Sequence, residues 1–460
     1  MESLVTDLPS ILLFAALGTV VASAVGLVAG TDETATLAPL TLVVALLNVP
    51  TPAVFTFFLS SAIAKHITHA IPTTMLGIPG DTMAIPLMRE ANRLRFLGVP
   101  HLALQKMVSS AVIAAFIAVP MSVLVGVLLI PVADAVKAAA PWIFLGASLL
   151  VAYFSAGRWA SLAALIPFTV MLVGLEDTLK AHHLKLNISF FMGIAVGSLI
   201  TDLMRLLAPA ARETMRPDGF KRVALAAEAK GWNGHFPNPL KVLDGPQLKW
   251  TAITAAVSST TFVFSPLAMT VVLGEIVGSR IKHAYHRLTS VVSVRNGVTE
   301  ATYIAETLIP LIAFGLPLSP VAVGPAWPLF NAPPRYSIDS VTGVINNAHT
   351  QMSVWEFFGC GMVSVAIVAI IAYPFAMNFA HRAASFVLRR ISHEAIIATF
   401  IALVIVISIW EGGIAGLFVT VTVGLVGGLL SRAIGFTIGV QAMAYYVSLL
   451  TVPALLTALS

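Results

Sequence analysis

Charge is what this sequence has least of. Of its 460 residues only 10% are Asp, Glu, Lys or Arg, against about 25% in an average soluble chain. Hydrophobic residues make up 58%, and the mean hydropathy is +0.93. So few charges cannot cover a water-facing surface, which excludes a string of soluble domains. Cysteine is nearly absent: Cys360 stands alone, so no intramolecular disulfide and no thiolate metal cluster can form. Met1–Ser10 carries Glu2 and Asp7 but no Lys or Arg. It lacks the basic start of a cleaved signal peptide, and the apolar run after it reads as a retained helix. There is no P-loop, no G-x-S-x-G and no H-E-x-x-H, so neither ATP-driven work nor these hydrolytic chemistries are indicated, and the chain reads as a non-enzyme.

What is there is apolar length. Crossing about 30 Å of hydrocarbon takes roughly 20 residues. Runs of that kind lie near 9–30, 39–64, 107–133, 138–157, 159–175, 186–208, 250–279, 354–378, 394–410, 413–430 and 435–458. The fold class is therefore all-α, a polytopic membrane protein with about 11 transmembrane helices. Two further stretches, 71–88 and 301–330, are broken by Gly and Pro, as helices that re-enter without crossing would be. Between Ala211 and Trp250 the chain is polar and rich in turn residues. It divides a first membrane repeat, 1–208 with hairpin 71–88, from a second, 250–460 with hairpin 301–330, across a cytoplasmic loop, 209–249.

Basic residues orient the chain. With both broken stretches taken as re-entrant, 18 Lys and Arg fall on the side of Arg89 and 8 on the other. The first side, N-terminus included, reads as cytoplasmic, and the protein as a multi-pass component of a bacterial-type cytoplasmic (inner) membrane. Arg280, Lys282, Arg287 and Arg295 fall on the less basic side in this count.

The broken stretches resemble each other. At a constant offset of 238, Ile71/Ile309, Pro72/Pro310, Gly77/Gly315, Pro79/Pro317 and Ala84/Ala322 are identical. Five crossings separate them, so the halves read as an inverted repeat, the pattern of secondary transporters with a site near the membrane midplane. Backbone N–H groups at such breaks favour an anion. Thr73, Thr74, Gly77, Pro79, Gly80, Asp81 and Thr82 at the first, with Gly315, Pro317 and Ser319 at the second, are the candidate substrate-binding residues.

L-G-I-P-G at Leu76–Gly80 and L-I-P-L-I-A-F-G-L-P at Leu308–Pro317 resemble motifs of one family, the large membrane subunit of tripartite tricarboxylate transporters. Gly297–Glu300 agrees more weakly with a family G-V-x-E, and Asp202 with Arg205 resembles a family G-x-D…R pattern. Leu318 stands where the family has a last glycine, and no Thr-rich run ending in Asp-Gly follows Asp81. The resemblance implies a carrier coupled to Na⁺ or H⁺, fed by an extracytoplasmic binding protein and accompanied by a small membrane subunit. No other cofactor is implied.

Ionisable groups in apolar stretches are costly and point to function. Asp81, Glu275, Asn296, Glu300 and Glu306 are the ion-coupling candidates; for Asp81, capping a short helix is the plain alternative. Arg89, Arg93 and Arg95 either attract an anion or anchor the chain at lipid headgroups. Lys65, His66 and His69 stand on the other flank of the first hairpin; the two histidines read as interfacial, because no Cys, Asp or Glu stands at ligand spacing beside them, and no metal site is indicated. Glu356 and Glu411, at span ends, read as solvated. The function expected is secondary transport of a small organic anion, a di- or tricarboxylate, by alternating access. The alternatives are the same fold carrying a lipid phosphate such as a polyprenyl phosphate, or a membrane enzyme or scaffold for a lipid-linked substrate.

Overall fold

A computed structural model describes residues 2–29, 31–155, 157–184, 186–207, 234–338, 345–390 and 393–459. Most of the polar segment from Ala211 therefore lies outside the described residues, as do the side chains of Asp202 and Arg205. The rest is helical. The helices are α1 (Glu2–Gly26), α2 (Glu33–Leu46), α3 (Thr51–Ile71), α4 (Met88–Phe96), α5 (Pro100–Leu129), α6 (Ala133–Phe154), α7 (Trp159–Ala181) and α8 (Asn187–Leu207). After the polar segment come α9 (Gly245–Ser258), α10 (Pro266–Arg280), α11 (Ala284–Ala313), α12 (Val354–Arg390), α13 (His393–Ile434), α14 (Ile438–Tyr446) and α15 (Val452–Leu459). The described residues hold one small sheet, in which β1 (Ser337–Ile338) pairs antiparallel with β2 (Ile345–Asn346), Ser337 opposite Asn346. Seven helices are long and apolar enough to cross a membrane, with three shorter apolar helices beside them.

Two expected crossings are divided. The run 39–64 is cut after Leu46, where Asn48 takes φ 57° and Pro50 precedes the next helix. The run 250–279 is two helices joined at Ser259–Ser265, with the Ser265 hydroxyl capping α10 through Ala268 N. The α10 end returns to the α9 start, where Arg280 lies over the Trp250 ring. This pair is a hairpin, and the long helix that follows it is α11. At 30 residues α11 is about 45 Å long, but Arg287, Arg295, Glu300 and Glu306 hide it from a hydropathy reading. Residues 301–313 of the expected second hairpin are the last turns of this helix.

Arg295, expected on the opposite face from the first broken stretch, is buried against it. Its guanidinium donates to Pro86 O at 2.7 Å and pairs with Glu90 at 2.5 Å and with Glu275 at 2.7 Å. Arg93, Lys282 and Arg287 line one cavity of about 160 Å³ beside Glu90. The awkward basic cluster thus shares the end of Arg89–Arg95, because the segment before it turns back.

Side-chain contacts fix the helix directions. Thr51, at the start of α3, meets Gln351, Arg335 and Tyr336. The same end holds the last turn of α11, where Asn347 binds Gly315 O and His349 binds Leu311 O. So α3 and α11 are antiparallel. α5 runs with α11, since Asn296 donates to Met107 O and Gly126 backs onto Ile312. α12 runs against α5, with Gly361 on Val119 and Tyr373 bonded to Ser109. α1 runs with α3, with Phe14 on Phe57 and Gly26 on Lys65 and Thr68. The start of α1 therefore lies at the end opposite Arg89 and Arg93, and the expectation that these share a face is corrected.

Glu411 is not simply solvated. The helical path of α13 breaks at Gly412 and Gly413, and the Glu411 carboxylate caps α8, accepting from Ile188 N at 2.8 Å and from Ser189 N and Oγ at 2.6 Å. Carboxylates at helix N-termini satisfy otherwise free N–H groups. Glu411→Ala is expected to lower stability by about 1–2 kcal/mol, read as a fall in the thermal midpoint of the purified protein. An unchanged midpoint would contradict this role.

Candidate functional site

The two breaks share a backbone plan. Gly77 and Gly315 both take the left-handed conformation, at φ 70° and 66°, which side-chain-bearing residues rarely adopt. Four residues on, Asp81 and Ser319 each cap a short turn, Asp81 Oδ1 accepting from Ala84 N and Ser319 Oγ from Ala322 N, both at 3.1 Å. Before the first break α3 continues as a π-helical turn, Pro72–Leu76, a local widening often found at functional sites. Thr73 stitches it, donating to His69 O and accepting from Gly80 N. Thr74 bonds back to Ala70 O. A Cβ at Gly80 would stand 2.6 Å from His69 Cβ and O, so only glycine lets the chain pass close enough to bring Asp81 to His69.

Around Asp81 the expectation for α3 is overturned. His66 and His69 are not interfacial; with Lys65, all are at most 1% exposed. Lys65 and His69, one turn apart, both reach Asp81 Oδ2, at 3.0 Å and 2.8 Å. Lys65 also donates to Thr31 O at 3.0 Å and lies 4.0 Å from Glu33 Oε1. His66 faces the other way, with Nε2 2.5 Å from Glu33 Oε1 and Nδ1 3.1 Å from Glu300 Oε2. The Tyr303 ring meets the His66 ring edge to face at 4.6 Å. Glu33 sits at 2% exposure and Glu300 at 1%.

Residues far apart in sequence thus converge: the α1–α2 hairpin tip supplies Thr31 and Glu33, α3 three cations or potential cations, the first break Asp81, and α11 Glu300 and Tyr303. Burying such charges is tolerable only because each has an opposite charge in contact. Four polar atoms remain buried without a protein partner among the described residues: Glu33 Oε2, His69 Nε2, Glu300 Oε1 and Tyr303 Oη. Donor atoms of Glu33, His66 and Asp81 lie within 4.8 Å of one another. Lys65 supplies positive charge beside two of these donors, 3.0 Å from Asp81 and 4.0 Å from Glu33.

The second break approaches from the other side. Ser319 Oγ donates to Glu306 O, Glu306 Oε2 accepts from Val321 N at 3.0 Å, and Glu306 Oε1 is buried without a partner. Gly324 then backs onto Thr34 Oγ1, next to Glu33. Both breaks therefore bear on the start of α2. Among the expected ion contacts, Glu300 belongs to the cluster and Glu306 to the second break. Glu275 is tied to Arg295, and Asn296 to the backbone of α5. Gly315 and Pro317 shape the second turn. Pro79 is partly exposed and Thr82 exposed, as are Arg89 and Arg93; Arg95 packs behind Gly77 and over the Phe96 ring at 5.4 Å.

Glu33, Lys65, His66, His69 and Tyr303 were missed from sequence. The available signals were an acidic pair inside T-D-E-T between apolar runs, and a K-H-x-x-H whose spacing puts Lys65 and His69 on one helix face.

A polytopic helical body enclosing a charged cluster where broken helices meet is the architecture of a membrane carrier. Residues 12–438 match the tripartite tricarboxylate transporter TctA family, and the chain belongs to it. No curated protein and no solved structure gives a match. The family is one of transporters of tricarboxylate-type substrates, and the protein is a multi-pass membrane protein of that kind.

Proposed function

We infer that the chain is a secondary transporter of a small organic anion, a di- or tricarboxylate, working by alternating access and coupled to Na⁺ or H⁺. In this reading residues 1–208 and 250–460 are oppositely directed repeats, and the breaks near Gly77 and Gly315 are their re-entrant elements. The observation that carries it is the buried pairing of Lys65 and His69 with Asp81. A sealed ammonium already holding one carboxylate is chemically suited to exchange it for the carboxylate of a substrate. The basic end with Arg89, Arg93, Arg280, Lys282 and Arg287 faces the cytoplasm of an inner membrane by the positive-inside tendency, which puts the start of α1 outside. An extracytoplasmic binding protein and a small membrane subunit complete the system.

One observation favours a lipid phosphate as cargo instead. A groove of about 460 Å³ beside α12 is lined by Leu27, just past α1, and by Phe375, Phe379, Arg382 and Phe386, a lining suited to an apolar chain with an anionic head. Thermal stabilisation separates the two readings, since a ligand at about 100 times its Kd adds about 2.7 kcal/mol. The purified protein is heated with di- and tricarboxylates and with short-chain polyprenyl phosphates, with and without Na⁺. Saturable stabilisation by a carboxylate, lost in Asp81→Asn, is the expected result. Stabilisation by the lipid phosphate alone would overturn the carboxylate assignment, and stabilisation by neither would overturn both.

A further inference from the structure

His66 is the one ring in the cluster with a carboxylate at each nitrogen. Nε2 stands 2.5 Å from Glu33 and Nδ1 3.1 Å from Glu300. A neutral imidazole donates through one nitrogen and accepts at the other, whereas an imidazolium donates through both. Two carboxylates facing both nitrogens therefore need two protons among the three groups, as an imidazolium or as a neutral ring with one carboxylic acid. With one proton fewer, a ring lone pair faces a carboxylate lone pair at hydrogen-bond distance, and one of the two bridges opens.

The three groups stand on three elements: Glu33 on α2, His66 on α3 and Glu300 on α11. Among the described residues no other side chain in contact replaces a lost bridge. Lys65 is held by Asp81 and Thr31 and stays 4.0 Å from Glu33. His69 is turned to Asp81. Asp32 caps α2 through Ala35 N. Tyr303 offers His66 its ring at 4.6 Å, and its hydroxyl has no partner among the described residues. The second oxygens of Glu33 and Glu300 are likewise unpartnered, so both carboxylates depend on His66.

We propose that His66 is the proton site of the carrier: its second ring proton joins the α1–α2 hairpin to α11, and release of that proton to water frees one of them to move. The coupling ion is then a proton. The coupling role rests on the transport reading above; the proton-dependent joint does not.

The joint is tested by hydrogen–deuterium exchange of the full-length protein in nanodiscs from about pH 5 to about pH 9, the range that spans ordinary histidine titration. After correction for the intrinsic pH dependence of amide exchange, protection of Val28–Leu46 is expected to fall on the order of tenfold as the pH rises, the effect of losing one charged hydrogen bond. His66→Gln keeps one donor and one acceptor, so it should show the low protection at every pH, while His69→Gln should titrate like the wild type. Protection that does not change with pH in the wild type would overturn the proposal. Should His66→Gln not fold, Glu300→Gln serves: its neutral amide removes the need for the second proton, and the fall should shrink.

Coupling is read in proteoliposomes that hold the chain with its small membrane subunit, are supplied with the extracytoplasmic binding protein, are loaded with a pH-sensitive dye, and are given citrate and a panel of dicarboxylates. Proton entry with the carboxylate, lost in His66→Gln, is expected. Carboxylate entry without protons would overturn the coupling role. No carboxylate entry, with the pH-dependent exchange intact, would count against the transport reading and leave the joint standing.

Discussion

Lys65→Met is expected to lower the stability of the purified protein by about 3–5 kcal/mol, the usual consequence of removing one member of a buried ion pair. Methionine fills a similar volume, so a packing defect contributes little. The loss comes from Asp81, left with His69 as its remaining cation, and from Thr31 O, which loses its donor. Asp81→Asn added to Lys65→Met removes the stranded charge and should recover part of the loss. Two such sites in contact are not additive, and a double-mutant cycle isolates the coupling. Lys65→Met should also remove stabilisation by carboxylates, while the double variant regains stability without regaining that response. A drop of less than about 1 kcal/mol in the single variant, the range of exposed pairs, would show that Lys65 is not sealed.

Gly428→Val is expected to prevent accumulation of folded protein. α8 and α13 cross at Gly193 and Gly197 on one side and Gly424 and Gly428 on the other. A Cβ at Gly428 would lie 2.2 Å from Gly197 O and 2.7 Å from Gly197 C. Those are backbone atoms, so no rotamer relieves the clash and the two helices must separate. Small residues at four-residue spacing allow this approach in membranes, where association depends on close contact rather than on the hydrophobic effect. Gly439→Val, whose nearest atom is 3.9 Å away, is the control and should accumulate normally. Equal yields from the two variants would contradict the account.

Much of the helical layout was legible because apolar length survives in sequence. α11 was not, for a physical reason. Hydropathy counts Arg295 and Glu300 singly, whereas the fold neutralises them with Glu90, Glu275 and His66, drawn from positions up to 234 residues away. The α9–α10 hairpin was concealed by its own apolar character, although the Ser265–Pro266 pair carried a helix-start signal. Asp81 and Glu300 stood out as acids in apolar surroundings. Lys65, His66 and His69 did not, because their partners are supplied by other helices and no local spacing announces them.

The matched breaks at Gly77 and Gly315 carry unequal chemistry: at the offset of 238, Asp81 corresponds to Ser319 and Lys65 to Tyr303. The backbone plan recurs at the two breaks but the ionic equipment does not. If the halves are the oppositely directed repeats proposed above, two conformers that exchange their roles would be degenerate only if both halves carried the same side chains. Here one of them keeps its ammonium sealed against a carboxylate and the other does not, so their energy wells differ in depth. The unloaded molecule should therefore rest facing one way, with its forward and backward half-cycles running at different rates.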